Sequence, residues 1–151
     1  MNLRKLGKHK PIVGFTAGVF DLFHIGHVNL LRTASSMCDT LIVAVSTDEC
    51  ALYKNKIPVI PFDERSRVVE SCQYVSAVIP QHDLNKVNHW KKIKFDLLFV
   101  GDDWFDDPSW KKYEDELGEF GARVVYLPYT KGTSSTLINE ILKEKRALLE
   151  S

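Results

Sequence analysis

The sequence predicts a doubly wound α/β fold, with five parallel strands in one sheet, helices on both faces, and a single domain. Three observations carry this. Short runs that are apolar nearly throughout alternate with helix-length amphipathic segments, as in parallel sheets covered on both sides. The first strand, helix and strand close within about 30 residues, the span of a right-handed crossover unit. The stretches richest in reactive side chains all follow strands, at the carboxyl ends where such sheets bind ligands.

The elements follow in order. Met1 to Lys10 is a polar, basic lead-in. Pro11 to Thr16 is the first strand, and Gly26 to Met37 the first helix, with Val28, Leu30, Leu31 and Ala34 on its buried side. Leu41 to Val45 is the second strand, followed by a short helical segment after Ser46 to Glu49. Tyr53 to Pro61 has two lysines, two prolines and no helical period, so it is an ordered loop. A helix begins at Phe62. Val75 to Ile79 is a third strand bounded by Pro80, and Asp83 to Lys92 a helix with Val87 and Trp90 on one face. Phe95 to Val100 is the fourth strand, stopping at Gly101. Pro108-Ser109 opens the next helix with Ser109 as its cap. Ala122 to Leu127 is the fifth strand, and Ser134 or Ser135 caps a last helix from about Thr136 to Leu149. The domain spans 1–151, with its core within 11–149.

Composition narrows the function classes. Twenty basic and twenty acidic residues cancel in 151, which argues against a general nucleic-acid binder. Cys38, Cys50 and Cys72 are odd in number and widely spaced, so neither a disulfide framework nor a zinc site is expected. No apolar run reaches the roughly 18 residues that span a bilayer. The basic start lacks the pattern of a signal peptide.

The organising stretch is Gly18 to His27, which holds His24-Ile25-Gly26-His27 where a buried strand becomes a helix. Free N–H groups and the helix dipole favour an anion there, and imidazoles add donors. Helical zinc pairs are usually four residues apart rather than three, so phosphate is the preferred reading. Lys54 and Lys56 lie in a loop stiffened by Pro58 and Pro61, suited to a substrate phosphate. Lys131 to Thr136 sets several hydroxyls at a helix start, which serve as caps, as a phosphate cradle, or as both. Gly101 to Trp104 offers carboxylates for a ribose hydroxyl, a base amine or a magnesium ion. Gly-x-Gly-x-x-Gly after the first strand, the P-loop and the Gly-x-Ser-x-Gly elbow are all absent.

Gly18 to His27, Val45 to Glu49, Glu64-Arg65, Gly101 to Trp104, Val125 to Pro128 and Gly132 to Thr136 are collinear over residues 12 to about 142. Together they resemble the Rossmann-like nucleotidyltransferases marked by His-x-Gly-His, in particular the cytidylyltransferase branch that acts on glycerol 3-phosphate in bacteria. The resemblance implies transfer of CMP from CTP to a small phosphorylated alcohol, with release of pyrophosphate. It implies His24, His27 and Lys54 as catalytic groups. For the nucleotide it implies Val19, Phe20, Asp21, Gly26, Lys56, Asp103, Tyr129, Lys131, Gly132, Ser134, Ser135 and Thr136. Lys54, Arg65 and Lys86 would serve the acceptor. Mg²⁺ would ride on the triphosphate near Asp21 with no direct protein ligand, in a cytoplasmic homodimer with neither nucleic acid nor membrane as partner. Two departures stand out. Tyr129 and Gln73 replace family arginines, a loss for which Lys131 or Arg123 is a candidate substitute. Other acceptors (phosphocholine, phosphoethanolamine, other polyol phosphates, phosphonates), adenylyl transfer from ATP to a sugar phosphate, and a non-catalytic nucleotide-binding module remain the alternatives.

Overall fold

The computed structural model describes residues 10–151, so the expected lead-in lies almost wholly outside the described residues. The strands are β1 (Val13–Gly18), β2 (Thr40–Ser46), β3 (Ala77–Gln81), β4 (Leu97–Gly101) and β5 (Arg123–Leu127). The helices are α1 (Ile25–Ser36), α2 (Asp48–Leu52), α3 (Phe62–Glu70), α4 (Lys86–Ile93), α5 (Pro108–Glu119) and α6 (Ser135–Glu150). The five strands form one parallel sheet in the order β3-β2-β1-β4-β5, the doubly wound arrangement expected from the sequence. The chain moves outward from β1 to β3, then crosses back to β4 and β5. The crevice for a ligand therefore opens above β1 and β4, where the order reverses.

Each sheet face carries its own apolar layer. On one side Leu31 and Ala34 of α1 and Val69 of α3 pack with Leu41, Val43, Val45 and Phe99. On the other, Trp110 and Leu117 of α5 pack with Phe15, Ala44, Phe95 and Leu98. Both faces of the central strands are thus covered, which explains their unbroken apolar composition.

Several boundaries differ from the sequence expectation. β1 starts at Val13 and runs on to Gly18, because its register with β2 extends from Val13–Thr40 to Gly18–Val45. β3 runs through Pro80 to Gln81. The Gln81 carbonyl accepts from Thr47 N, 3.1 Å away, and so faces β2. By alternation Pro80 faces the free edge, where its missing N–H forfeits no ladder bond. Asp107, not Ser109, caps α5: its carboxylate accepts from Ser109 N at 2.9 Å, and Pro108 takes the first helical position. Asn85 caps α4, so Lys86 and His89, rather than Val87, are its most buried positions.

Arg65 joins the carboxyl ends of these elements. Its side chain is 1% exposed. The guanidinium donates to Val19 O (2.6 Å) at the end of β1, Ser46 O (2.8 Å) at the end of β2, Ile60 O (2.8 Å) in the loop before α3, and the Asp48 carboxylate (2.6 Å) on α2. Arg65, expected at the acceptor, thus has its planar fork committed to protein acceptors away from solvent. Arg65→Met would leave these acceptors unpaired. It should lower unfolding stability by about 3 kcal/mol or more in urea titration, a loss typical of a broken buried charge network.

Candidate active site

The chain leaves β1 through a turn in which Phe20 (φ 55°) and Leu22 (φ 49°) are both left-handed, a conformation bulky side chains seldom adopt. Asp21 between them is buried, and its two carboxylate oxygens accept from Val59 N (2.9 Å) and Ile60 N (3.0 Å). Its main-chain oxygen accepts from the Ser135 hydroxyl at the start of α6. Expected beside the triphosphate, Asp21 thus braces the turn against both the lysine loop and the last helix.

The two histidines build the start of α1 themselves. His24 is the cap, and its Nδ1 accepts from Gly26 N at 2.9 Å. His27 reaches back, its Nδ1 accepting from His24 N at 3.1 Å. This is a capping box made of imidazoles, with ring centroids 4.0 Å apart. Each Nδ1 accepts a bond, so each neutral ring carries its proton on Nε2, ready to donate to an anion. Burial lowers the pKa of both rings. His27 falls to about 4, driven first by burial and then by His24 and Lys56, against the opposing pull of Asp21. Gly26 is required by close approach: a Cβ there would lie 2.6 Å from His24 Cε1.

A second cluster lies toward β3. Lys54 Nζ donates to Ser46 Oγ (2.9 Å) and Gln81 Oε1 (3.1 Å). Lys86, on α4, is buried, with its Nζ 5.6 Å from the centroid of Trp110. Burial, reinforced by mutual repulsion in the case of Lys86, brings each lysine down to about 8. Among the described residues neither ammonium has a carboxylate within ion-pair distance. Two desolvated cations without a counter-ion are suited to an anion.

The third segment closes the other side. Tyr129 lies against Gly101, where a Cβ would sit 2.8 Å from the phenolic oxygen. Burial, then the Asp103 carboxylate to which its hydroxyl donates, push Tyr129 up to about 12. Thr130 Oγ1 accepts from Asn29 Nδ2 of α1 at 3.0 Å. Gly132 takes φ 86° in the turn, and Ser134 caps α6 by accepting from Leu137 N at 3.0 Å. Thr136 lies in the exposed first turn of α6, and Lys131 is exposed.

His24, His27, Gly26, Asp21, Lys56, Ser135 and Thr130 therefore gather over β1 and α1, Lys54 and Lys86 over β2 and β3, and Asp103 with Tyr129 over β4 and β5. Val19, whose backbone is expected at the nucleotide, gives its carbonyl to Arg65. Sequence reasoning missed Gln81, Ser46 and Asn29. Ser46 ends β2, so the strand-end rule that found the other segments would have found it, whereas Gln81 lies two residues past the expected end of the third strand. Among the described residues no three His, Cys, Asp or Glu side chains gather to hold a metal ion.

The cytidylyltransferase-like family model matches residues 15–141, which takes in the histidine pair, both lysines and the α6 start. The chain belongs to this family. It is 39% identical over 126 residues to the glycerol-3-phosphate cytidylyltransferase of Bacillus spizizenii, covering 83% of this chain and 92% of that one. To the Staphylococcus aureus enzyme of the same name it is 38% identical over 133 residues, covering 87% and 96%. It is also 36% identical over 108 residues to an FAD synthase of Archaeoglobus fulgidus, covering 72% of this chain and 78% of that one. Among solved structures, a lipopolysaccharide core biosynthesis protein from Thermoplasma volcanium superposes with a TM-score of 0.68 at 22% identity. That superposition covers 82% of this chain and all of the other, and shows the shared fold.

Two expectations follow. His27 should titrate near 4 by NMR. Because its folded value lies below the unfolded 6.5, its contribution to stability is intact above 6.5 and erodes as pH falls from 6.5 toward 4. Gly26→Ala should displace the His24 ring and cut turnover by about 10²-fold, the effect of an ångström-scale misplacement. Thermal unfolding should change little, which separates loss of geometry from loss of fold.

Proposed function

We propose that the protein is a cytidylyltransferase that moves CMP from CTP to the phosphate of glycerol 3-phosphate, releasing pyrophosphate and forming CDP-glycerol. The observation that carries this reading is the juxtaposition of two phosphate sites of different character above one sheet. One is lined by neutral imidazole donors at a helix start, the other by two desolvated lysines. The family membership and the likeness to two glycerol-3-phosphate cytidylyltransferases support the choice of nucleotide and acceptor.

An acceptor phosphate oxygen attacks the α-phosphorus of CTP in line. A new P–O bond forms to the acceptor, and the bond to the bridging oxygen breaks with its electron pair leaving on pyrophosphate. The acceptor is already an anion at neutral pH, so no general base is needed. Lys54 and Lys86 hold that anion against its repulsion from the triphosphate. Nε2–H of His24 and His27 donates to the oxygens that gain charge, in a fixed geometry requiring no reorganisation. Lys56, whose charge is felt at His27, adds a cation to the triphosphate. Asp103, Tyr129 and Lys131, with the α6 start, flank the nucleoside and its phosphates. Mg²⁺ enters on the triphosphate as part of the substrate and supplies charge neutralisation on the departing pyrophosphate. Positioning of the two reactants accounts for roughly 7–11 kcal/mol of the barrier reduction.

The reading includes a homodimer in the cytoplasm. Among the described residues no helix is long and apolar enough to cross a membrane.

The test is pyrophosphate release with each nucleoside triphosphate against glycerol 3-phosphate, phosphocholine, phosphoethanolamine, other polyol phosphates and phosphonates. CTP with glycerol 3-phosphate should give the highest kcat/KM. Preference for ATP would overturn the nucleotide assignment. His24→Ala and His27→Ala should each reduce turnover by about 10²-fold or more, as when an oxyanion donor is lost.

A further inference from the structure

Gln81 ends β3 with its side chain 1% exposed. Its Oε1 accepts from Ser46 Oγ at 2.6 Å and from Lys54 Nζ at 3.1 Å, and Lys54 Nζ also donates to Ser46 Oγ at 2.9 Å. An ammonium only donates, so Lys54 fixes which end of the amide is oxygen. The Nε2 end is buried with no hydrogen-bond partner. A glutamate in the same place would have no orphaned donor and would pair with Lys54. The chain instead keeps a neutral amide and tolerates a buried unsatisfied N–H, an uncommon and destabilising arrangement.

The surroundings do not supply the missing negative charge. Lys54 faces Cys50, Lys56, Arg65 and Lys86, and Lys86 faces Lys54, Cys50 and Asp83. Burial pushes the Cys50 thiol up, away from thiolate. The Asp83 carboxylate is half exposed. His89 donates through Nε2 to Asp83 O at 2.8 Å, and burial keeps the ring neutral, leaving its Nδ1 buried without a partner.

We propose that Gln81 is a positioning residue that fixes Lys54 without cancelling its charge, so that Lys54 and Lys86 together select a dianionic head group, a phosphate monoester or a phosphonate. The proposal rests on the reading of this cluster as the acceptor site and adds the group that sets its charge. Gln81 touches neither substrate and acts through Lys54.

The test is calorimetric binding of inorganic phosphate, methylphosphonate and dimethyl phosphate, a monoanion, at about pH 7.5, below the value of about 8 at which each lysine is half deprotonated, with CTP affinity measured alongside. Wild-type protein should bind the two dianions at least about tenfold more tightly than the diester, the equivalent of one pK unit of differential interaction. Gln81→Glu should weaken phosphate by about tenfold or more, because its carboxylate neutralises Lys54, and should leave CTP within about twofold. Gln81→Met, which neither holds nor neutralises the lysine, should lose less than Gln81→Glu. A merely structural role predicts the opposite order, since glutamate is the better isostere. Phosphate binding by Gln81→Glu equal to wild type, or tighter than that of Gln81→Met, overturns the proposal. So does a wild-type protein that binds dimethyl phosphate as tightly as phosphate, a result that needs no variant to fold. Dianion binding with this order of variants but without CMP transfer would remove the proposed reaction and leave the role of Gln81 standing.

Discussion

The buried guanidinium of Arg65 is the constraint on which the rest of the site depends. Strand ends in a parallel sheet diverge, and their last carbonyls have no ladder partners. One planar cation bridges two of them, the β1 and β2 ends, and extends to the lysine loop and α2. Asp21 completes the tie from the other direction by accepting two loop N–H groups. A loop that carries two lysines repelling one another would otherwise spread. The histidine turn and the lysine loop are therefore placed relative to each other by buried charged hydrogen bonds rather than by apolar packing alone.

What the sequence revealed depended on how local the information was. His24, Gly26 and His27 were legible because strand, turn and helix start are contiguous and each residue's role is set by neighbours two or three positions away. The five strands were legible from their apolar runs, although register moved β1 two residues along and carried β3 through a proline. Arg65 was set at the acceptor by resemblance; only the packing of α3 across two strand ends reveals that its guanidinium is committed to protein acceptors. Gln81 was silent, since nothing in Pro80-Gln81-His82 announces that a lysine from position 54 arrives there. The α5 start was misassigned by two residues because Asp107 and Ser109 are both good caps, and Pro108 at the first helical position decides between them.

The two halves of the site handle charge differently. At the histidine pair the protein supplies neutral donors, with the Asp21 carboxylate tied to loop N–H groups beside them. Around Lys54 and Lys86 it supplies net charge without a protein counter-ion, leaving an electrostatic deficit that a ligand must fill. In the proposed reaction, binding energy at the lysines would be available to offset the repulsion between two phosphates drawn to bonding distance.

Pro80 gives the sheet an asymmetry beyond its own strand. The free edge of β3 is where another chain would add a strand, and a proline facing outward at the carboxyl end denies it a donor at that point. Sheet continuation between molecules is therefore blocked beside Gln81, the residue that ends β3.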